Sequence, residues 1–164
     1  MLFDGSVHPT YWMRQVWMIT TKHMGLPIKQ NVNLFSYRNP VFLRSPIDYY
    51  AQHLQTLAQA TCAVSFASSW GCRESFVNGR AQEIPLAGAL LVQESAPTLS
   101  TYFIAGEHFL EFSTLAELAA IARFIAEHPE EAEEVRRCGC AYAREHYSNE
   151  RVVAELDKFL YFPE

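Results

Sequence analysis

Short apolar runs alternate along the chain with segments of helical periodicity. The apolar runs have the length and composition of strands, and turn-forming Gly, Pro, Ser and Asn residues separate them from the periodic segments. Strands that alternate with helices favour a parallel sheet covered on both faces. The pattern therefore predicts a Rossmann-like three-layer α/β/α domain, with strands at about residues 2–7, 28–34, 61–67, 89–93 and 108–112.

Local start and stop signals place the helices. Ser45-Pro46 combines a capping serine with a first-turn proline, and Thr114-Leu115-Ala116-Glu117 has the sequence of a capping box. Pro129 suits a first helical position, and Ser148 caps the last helix. We predict helices at about 12–24, 46–60, 80–87, 115–126, 129–146 and 149–160, and a short helix that begins at Pro97.

Composition supports a globular fold. The 164 residues are 49% hydrophobic and 19% charged, which is typical of one domain with a sizeable core, so we expect residues 1–164 to form a single unit. No apolar run approaches the roughly 20 residues that span a bilayer, and the first residues lack the pattern of a secretory signal. The net charge of −5 disfavours nucleic acid as the main partner.

The four cysteines indicate neither a disulfide framework nor a zinc site. They are Cys62, Cys72, Cys138 and Cys140, and no two of them have the CxxC spacing. We interpret them as reduced thiols, and we expect a cytoplasmic protein with no metal site.

The segment from Asn78 to Val92 carries the strongest candidate chemistry. A glycine, Gly79, opens a helix of one to two turns, Glu83 lies one turn in, and Gly88 ends the helix before a buried strand. A helix N-terminus attracts anions, and a carboxylate accepts hydrogen bonds from vicinal hydroxyls, so the pair suits the phosphates and ribose of a nucleotide. The alternative is an ordinary loop-helix-strand connection with a solvated glutamate.

Downstream motifs give the segment a family context. The stretch Gly79-Arg80-x-x-Glu83-Ile84-Pro85-x-Ala87-Gly88-Ala89 resembles the Arg-x-Phe-Glu-x-x-Ala-x-Gly-Ala signature of group 1 glycosyltransferases, especially the spore-maturation-type branch. The ordered resemblance covers about residues 55–160. It continues through Phe103 to His108, Ser113 to Leu118, His128 to Glu131, Val135-Arg136-Arg137-x-Gly139 and Ala143-x-Glu145-His146-x-x-x-x-Arg151.

The resemblance implies the GT-B architecture, in which two Rossmann-like domains face each other across a cleft. The chain looks like the C-terminal domain, which binds the sugar-nucleotide donor, so an N-terminal acceptor domain is absent from it. By this resemblance Glu83 holds the ribose hydroxyls of the donor. Gly79 and Arg80 face its diphosphate, and Asn78 beside them joins the donor-binding set.

Further donor contacts are implied outside this segment. His8 and Arg14, after the first strand, could approach the phosphates from the other wall, although Arg14 is equally compatible with a surface arginine and a histidine such as His8 is more often an ordinary loop residue. The Tyr37-Arg38 loop could meet the base. Many relatives carry two glutamates separated by seven residues, and the earlier one contacts the transferred sugar. In this chain Glu74 precedes Glu83, but eight residues separate the two. No Asp-x-Asp motif is present, so we expect no metal and no cofactor beyond a UDP- or GDP-sugar co-substrate.

Two functions remain open at this point. The first is the donor-binding domain of a glycosyltransferase that transfers a hexose from a nucleotide-diphosphate sugar to an unknown acceptor, with a second domain or chain needed for activity. The alternative is a non-catalytic Rossmann-like module that binds a nucleotide or a protein. The resemblance identifies no catalytic residue.

Overall fold

Parallel strands form the centre of the fold. The structure is a computed structural model that describes residues 2–7, 29–34, 46–67 and 77–160. Within these ranges five strands hydrogen-bond in the order β2-β1-β3-β4-β5, and every neighbouring pair is parallel. The strands are β1 (Leu2–Val7), β2 (Lys29–Leu34), β3 (Cys62–Ser65), β4 (Leu90–Glu94) and β5 (Leu110–Phe112).

Parallel neighbours require crossover connections. Where these are described, an α-helix lies before β3 and another before β4, and a 3₁₀ turn lies before β5. None of the helices in the described ranges is long and apolar enough to cross a membrane. The helices are α1 (Pro46–Ala58), α2 (Arg80–Ala87), α3 (Leu115–Glu127), α4 (Pro129–Tyr147) and α5 (Asn149–Leu160), and a 3₁₀ turn covers Leu99–Thr101.

Alternating side chains of β3 and β4 divide the core into two clusters. Ala63 and Leu91 pack in one cluster with Leu57 of α1 and Ile84 of α2. Their neighbours in the strands point to the opposite face, because successive strand residues alternate. That second cluster contains Cys62, Val64, Leu90, Val92, Phe112 of β5, Leu118 of α3 and Ala132 of α4. The sheet therefore has helices on both faces, as the predicted three-layer domain requires.

The capping signals predicted at Thr114 and Ser148 are confirmed, whereas Ser45 lies outside the described residues. The Thr114 hydroxyl accepts from the Glu117 N–H at 3.2 Å, and the Glu117 carboxylate accepts from the Thr114 N–H at 3.2 Å. The Ser148 hydroxyl accepts from the Arg151 N–H at 3.3 Å at the start of α5. These bonds satisfy amides that the first helical turn leaves without partners.

Three predicted boundaries are wrong, and one predicted element cannot be compared. The strand predicted at 108–112 begins only at Leu110, because the His108 N–H bonds to the Ile104 carbonyl in a turn. The strand predicted at 61–67 is limited to Cys62–Ser65. The helix predicted to begin at Pro97 is a single 3₁₀ turn. The helix predicted at 12–24 lies outside the described residues.

Gly139 allows α4 to lie directly against the loop before β5. A Cβ atom at this position would overlap the carbonyl oxygen of His108 and would lie 3.0 Å from its carbonyl carbon. Because both groups are backbone, neither can turn aside as a flexible side chain would. The contact fixes α4 against the segment that leads into β5.

Substitution of Gly139 by alanine should therefore reduce the free energy of unfolding by about 1–3 kcal/mol, the usual cost of overpacking. Helix propensity alone predicts the opposite, a gain of about 1 kcal/mol for alanine over glycine. Chemical denaturation of the two proteins distinguishes the signs. Exposed Ala141 in the same helix gives a control, since Ala141→Gly should lose only the propensity difference. Stabilisation by Gly139→Ala would contradict the packing.

Candidate functional site

The side chain of Asn78 connects the carboxyl end of β3 to the start of α2. Its Oδ1 atom accepts from the Ser65 hydroxyl at 3.3 Å and from the Arg80 N–H at 3.0 Å. Its Nδ2 atom donates to the Phe66 carbonyl at 2.8 Å. Ligands of open α/β sheets bind beyond the carboxyl ends of the strands. Asn78 thus places the start of α2 at the edge of the sheet where a site is expected.

The first-turn amides of α2 already have protein acceptors. The Arg80 N–H is held by Asn78 Oδ1, and the Ala81 N–H bonds to the Asn78 carbonyl at 3.1 Å. The N–H groups of Gln82 and Glu83 both bond to the Gly79 carbonyl, at 3.1 and 2.9 Å. An anion at this helix start would meet few unoccupied amides. Charged side chains would therefore contribute more to anion binding here than the backbone N–H groups.

Glu83 is the centre of a polar cluster between α1 and α2. The Tyr50 hydroxyl of α1 donates to Glu83 Oε1 at 3.2 Å. On the other oxygen, His53 Nε2 lies 3.5 Å and Arg80 Nε 3.7 Å from Oε2. The Glu83 side chain is 27% exposed, so it reaches solvent while it keeps these three partners.

The cluster favours the ionised form of Glu83. The hydrogen bond from His53 is the main cause that lowers the pKa of Glu83, and the charge of Arg80 adds to it, while partial burial acts in the opposite direction. Burial and the neighbouring Glu83 charge raise the pKa of Tyr50, so its hydroxyl stays a donor. The result is a carboxylate with fixed partners and an exposed edge.

Arg80 also contacts His53 directly. Its Nη1 atom lies 2.7 Å from His53 Nε2 and 3.2 Å from Nδ1, and the His53 ring is 6% exposed. A guanidinium can only donate, so neutral His53 accepts from Arg80 at its unprotonated nitrogen; with the proton on Nε2, the ring accepts at Nδ1 and donates from Nε2 to Glu83. His53 therefore connects the cation and the anion of the site.

The structure brings four of the predicted site residues together. Glu83 and Arg80 form the polar cluster, and Gly79 and Asn78 build the helix start beside it. A Cβ atom on Gly79 would lie 3.8 Å from Glu83 Oε1, at ordinary contact distance, so glycine is not required there for space. The other candidates, His8, Arg14, Glu74 and the Tyr37-Arg38 loop, lie outside the described residues.

Sequence reasoning missed Tyr50 and His53. They are three residues apart on α1, which places them on one helix face. A polar pair on a helix that also carries Leu57 into the core was the available signal, but it did not indicate α2 as the neighbour.

In the part of the chain that the structure describes, no group of three or more His, Cys, Asp or Glu side chains is arranged to hold a metal ion. Cys62 and Cys140 are buried, and burial raises the pKa of both thiols, so neither is poised as a nucleophile. Cys72 lies outside the described residues. The chemistry available in the described ranges is that of the Glu83 cluster.

Comparison with protein families gives one match. A model described as glycosyl transferase-like matches residues 20–158. Among curated proteins, no sequence matches the chain significantly.

Solved structures of glycosyltransferases share the fold. HepE of Anabaena, solved with UDP and glucose, superposes with a TM-score of 0.64 at 14% identity, over 97% of this chain and 39% of HepE. Sucrose-phosphate synthase of Thermosynechococcus elongatus gives 0.61 at 15% identity, over 97% and 37%. The C-terminal domain of the group 1 glycosyl transferase LpcC of Francisella tularensis gives 0.58 at 8% identity, over 90% and 85%.

These comparisons confirm the predicted fold class, a parallel α/β domain like the C-terminal half of a GT-B glycosyltransferase. The chain spans only about two fifths of the length of the first two proteins, at 39% and 37%. It spans 85% of the isolated C-terminal domain.

The lowered pKa of Glu83 predicts a pH-dependent contribution to stability. The folded carboxylate binds a proton less readily than the unfolded one, so its contribution is fully present above the ordinary value of 4.5 and is lost as the pH falls through the lower folded value. Glu83→Gln should cost about 1 kcal/mol of unfolding free energy at pH 7, and less at acid pH.

Urea denaturation of the original protein and of Glu83→Gln, at pH 7 and at acid pH, measures this difference. The exposed Glu111 gives the control, since Glu111→Gln should change stability by less than about 0.5 kcal/mol. An equal cost of Glu83→Gln at both pH values would refute the electrostatic role.

Proposed function

The chain belongs to the glycosyl transferase-like family, and we propose that it is the donor-binding domain of a glycosyltransferase that transfers a hexose from a UDP- or GDP-sugar to an acceptor. The observation that carries the proposal is the ionised, partly exposed Glu83, held by Tyr50, His53 and Arg80 at the carboxyl edge of the sheet. Within the family, the motif resemblance favours the spore-maturation-type branch.

A carboxylate held in this way suits the ribose of a donor. Glu83 offers two oxygens to two vicinal hydroxyls, and hydrogen bonds to a charged acceptor are stronger than neutral ones. HepE, which shares the fold, was solved in complex with UDP and with UDP-glucose. That precedent supports a nucleotide sugar as the ligand proposed for this chain.

The diphosphate is proposed to meet Arg80. The guanidinium contacts His53 at 2.7 Å, and a bound diphosphate would compete with His53 and Glu83 for it. Because the first-turn amides of α2 have protein acceptors, Arg80 is the main cation offered by this wall, with Gly79 beside it and Asn78 as the support of the helix start. His8 and Arg14 remain the proposed contacts from the other wall, and no metal or further cofactor is required by this proposal.

A second domain or partner chain completes the cleft in this proposal. The chain spans about two fifths of HepE and of sucrose-phosphate synthase, at 39% and 37%, so the remainder of those proteins has no counterpart in it. Residues 1–164 would then supply the donor wall, and an acceptor domain would face it. Reduced cysteines suit a cytoplasmic location.

The rival function is a non-catalytic Rossmann-like module for nucleotide or protein binding. It is favoured by the internal hydrogen bonds of Asn78 and of the α2 amides, which give this segment a structural role with or without a ligand. Nucleotide binding that depends on Glu83 separates a donor site from a protein-binding scaffold.

Calorimetry with UDP-, GDP- and ADP-sugars should detect binding of at least one of them, and Glu83→Ala should weaken that binding by about 1–3 kcal/mol through loss of charged hydrogen bonds. Glu111→Ala removes an exposed carboxylate elsewhere and should leave the affinity unchanged. Absence of binding to every nucleotide sugar would favour the scaffold function.

Turnover by this chain alone should be weak or absent, because the acceptor side of the proposed cleft comes from elsewhere. Release of nucleoside diphosphate from the sugar nucleotide that binds best gives the measurement. Robust hydrolysis by the isolated chain would disprove the need for a second domain, whereas binding without turnover would agree with it.

A further inference from the structure

We propose that Tyr50 and His53 are positioning residues that make this site select ribonucleotides over 2′-deoxyribonucleotides. The inference rests on the proposed function, since it takes Glu83 as the group that meets the ribose. Neither α1 residue belongs to the motif that carries the family resemblance, and both act on the ligand through Glu83.

Each oxygen of the Glu83 carboxylate faces one side chain of α1. Tyr50 donates to Oε1 at 3.2 Å, and His53 Nε2 lies 3.5 Å from Oε2. The two residues are one helical turn apart, so α1 presents them side by side against α2. Together they define the plane of the carboxylate as well as its position.

The contacts leave acceptor capacity on both oxygens. An ionised carboxylate accepts about four hydrogen bonds. Tyr50 occupies one position on Oε1, and among the described residues Oε2 has only the longer contacts to His53 and to Arg80, at 3.5 and 3.7 Å. One further hydroxyl on each oxygen matches the 2′ and 3′ hydroxyls of a ribose. A 2′-deoxyribose would leave one oxygen without its donor.

The orientation of the carboxylate decides whether this match distinguishes a ribose from a 2′-deoxyribose. The terminal torsion of glutamate is soft, so a carboxylate without side-chain partners rotates readily and can turn one oxygen toward water. With Tyr50 and His53 in place, both oxygens keep their directions, and a missing ribose hydroxyl leaves a charged acceptor unmet. Specificity for a hydroxyl arises from such an unmet polar group.

Tyr50→Phe is the principal test. Tyr50 is 48% exposed, so removal of its hydroxyl leaves the core intact. Calorimetry would compare UDP with 2′-deoxy-UDP and GDP with 2′-deoxy-GDP. The original protein should prefer the ribose form by about tenfold or more, and Tyr50→Phe should reduce that preference by about threefold or more, mainly through weaker binding of the ribose form.

His53 gives a second test with rescue. Glutamine places an amide, which both donates and accepts, near the position of Nε2, so His53→Gln should keep most of the ribose preference. His53→Leu has a similar volume without polar atoms and should lose the preference. Thermal unfolding establishes whether each variant is folded. If His53→Leu is unfolded, Tyr50→Phe alone tests the proposal.

Tyr147→Phe is the matched control. Its hydroxyl donates to the Tyr102 carbonyl at 3.0 Å in the aromatic cluster around Phe103, so the same chemical change removes a hydrogen bond that does not involve Glu83. The ribose preference of this variant should equal that of the original protein. An equal fall in Tyr147→Phe and Tyr50→Phe would overturn the proposal, because general destabilisation would explain both.

The remaining outcomes are also decisive. If Tyr50→Phe leaves the ribose preference unchanged, or weakens the binding of the ribose and deoxyribose forms equally, the positioning role is overturned while the proposed function stands. A larger preference overturns it as well, because Tyr50 would then compete with the ribose for Oε1. Failure of the original protein to bind UDP and GDP overturns the proposed function and this inference together.

Discussion

The three hydrogen bonds of the Asn78 amide are the constraint on which the candidate site depends. They tie the end of β3 to the first residue of α2, so the helix starts at the carboxyl edge of the sheet. Glu94 at the end of β4 reinforces the same edge by accepting from the Ala67 N–H at 2.9 Å. Since α2 starts at a fixed point, Glu83 one turn further on is fixed against α1 as well. At its other end, α2 stops at Gly88 in a left-handed conformation, and Arg136 of α4 donates to the Gly88 carbonyl at 2.6 Å.

The electrostatics of the site follow from this placement. A partly buried carboxylate would be costly without partners, and Arg80, His53 and Tyr50 offset that cost. The same pairing weakens the attraction of Arg80 for a phosphate, because Glu83 already neutralises part of its charge. The described wall therefore suits neutral sugar hydroxyls better than it suits a diphosphate, which would need further cations from the opposite side of a cleft.

Local signals in the sequence were sufficient for the fold and for half of the site. The alternation of strands and helices, the capping box at Thr114 and the Gly88 stop depend on neighbouring residues, and all three are confirmed. The limits of β5 were less accessible, because the His108 turn before it also packs against Gly139 of α4, which lies further along the chain. The partners of Glu83 could not be predicted from local patterns, since Tyr50 is 33 positions away and meets it only through the packing of α1 on α2.

The family motifs contain residues that matter for packing and residues that matter for the candidate site, and Gly139 is of the first kind. It lies in the basic helix that resembles the family, and its place in the structure is set by close approach to the His108 backbone. Glu83, in the other part of the resemblance, has a charge and an exposed edge. Under the proposed function, a protein that kept Gly139 and lost Glu83 would retain the architecture without the carboxylate proposed to meet the ribose. In judging which relatives of this chain are active enzymes, agreement at Gly139 should therefore count toward the fold alone.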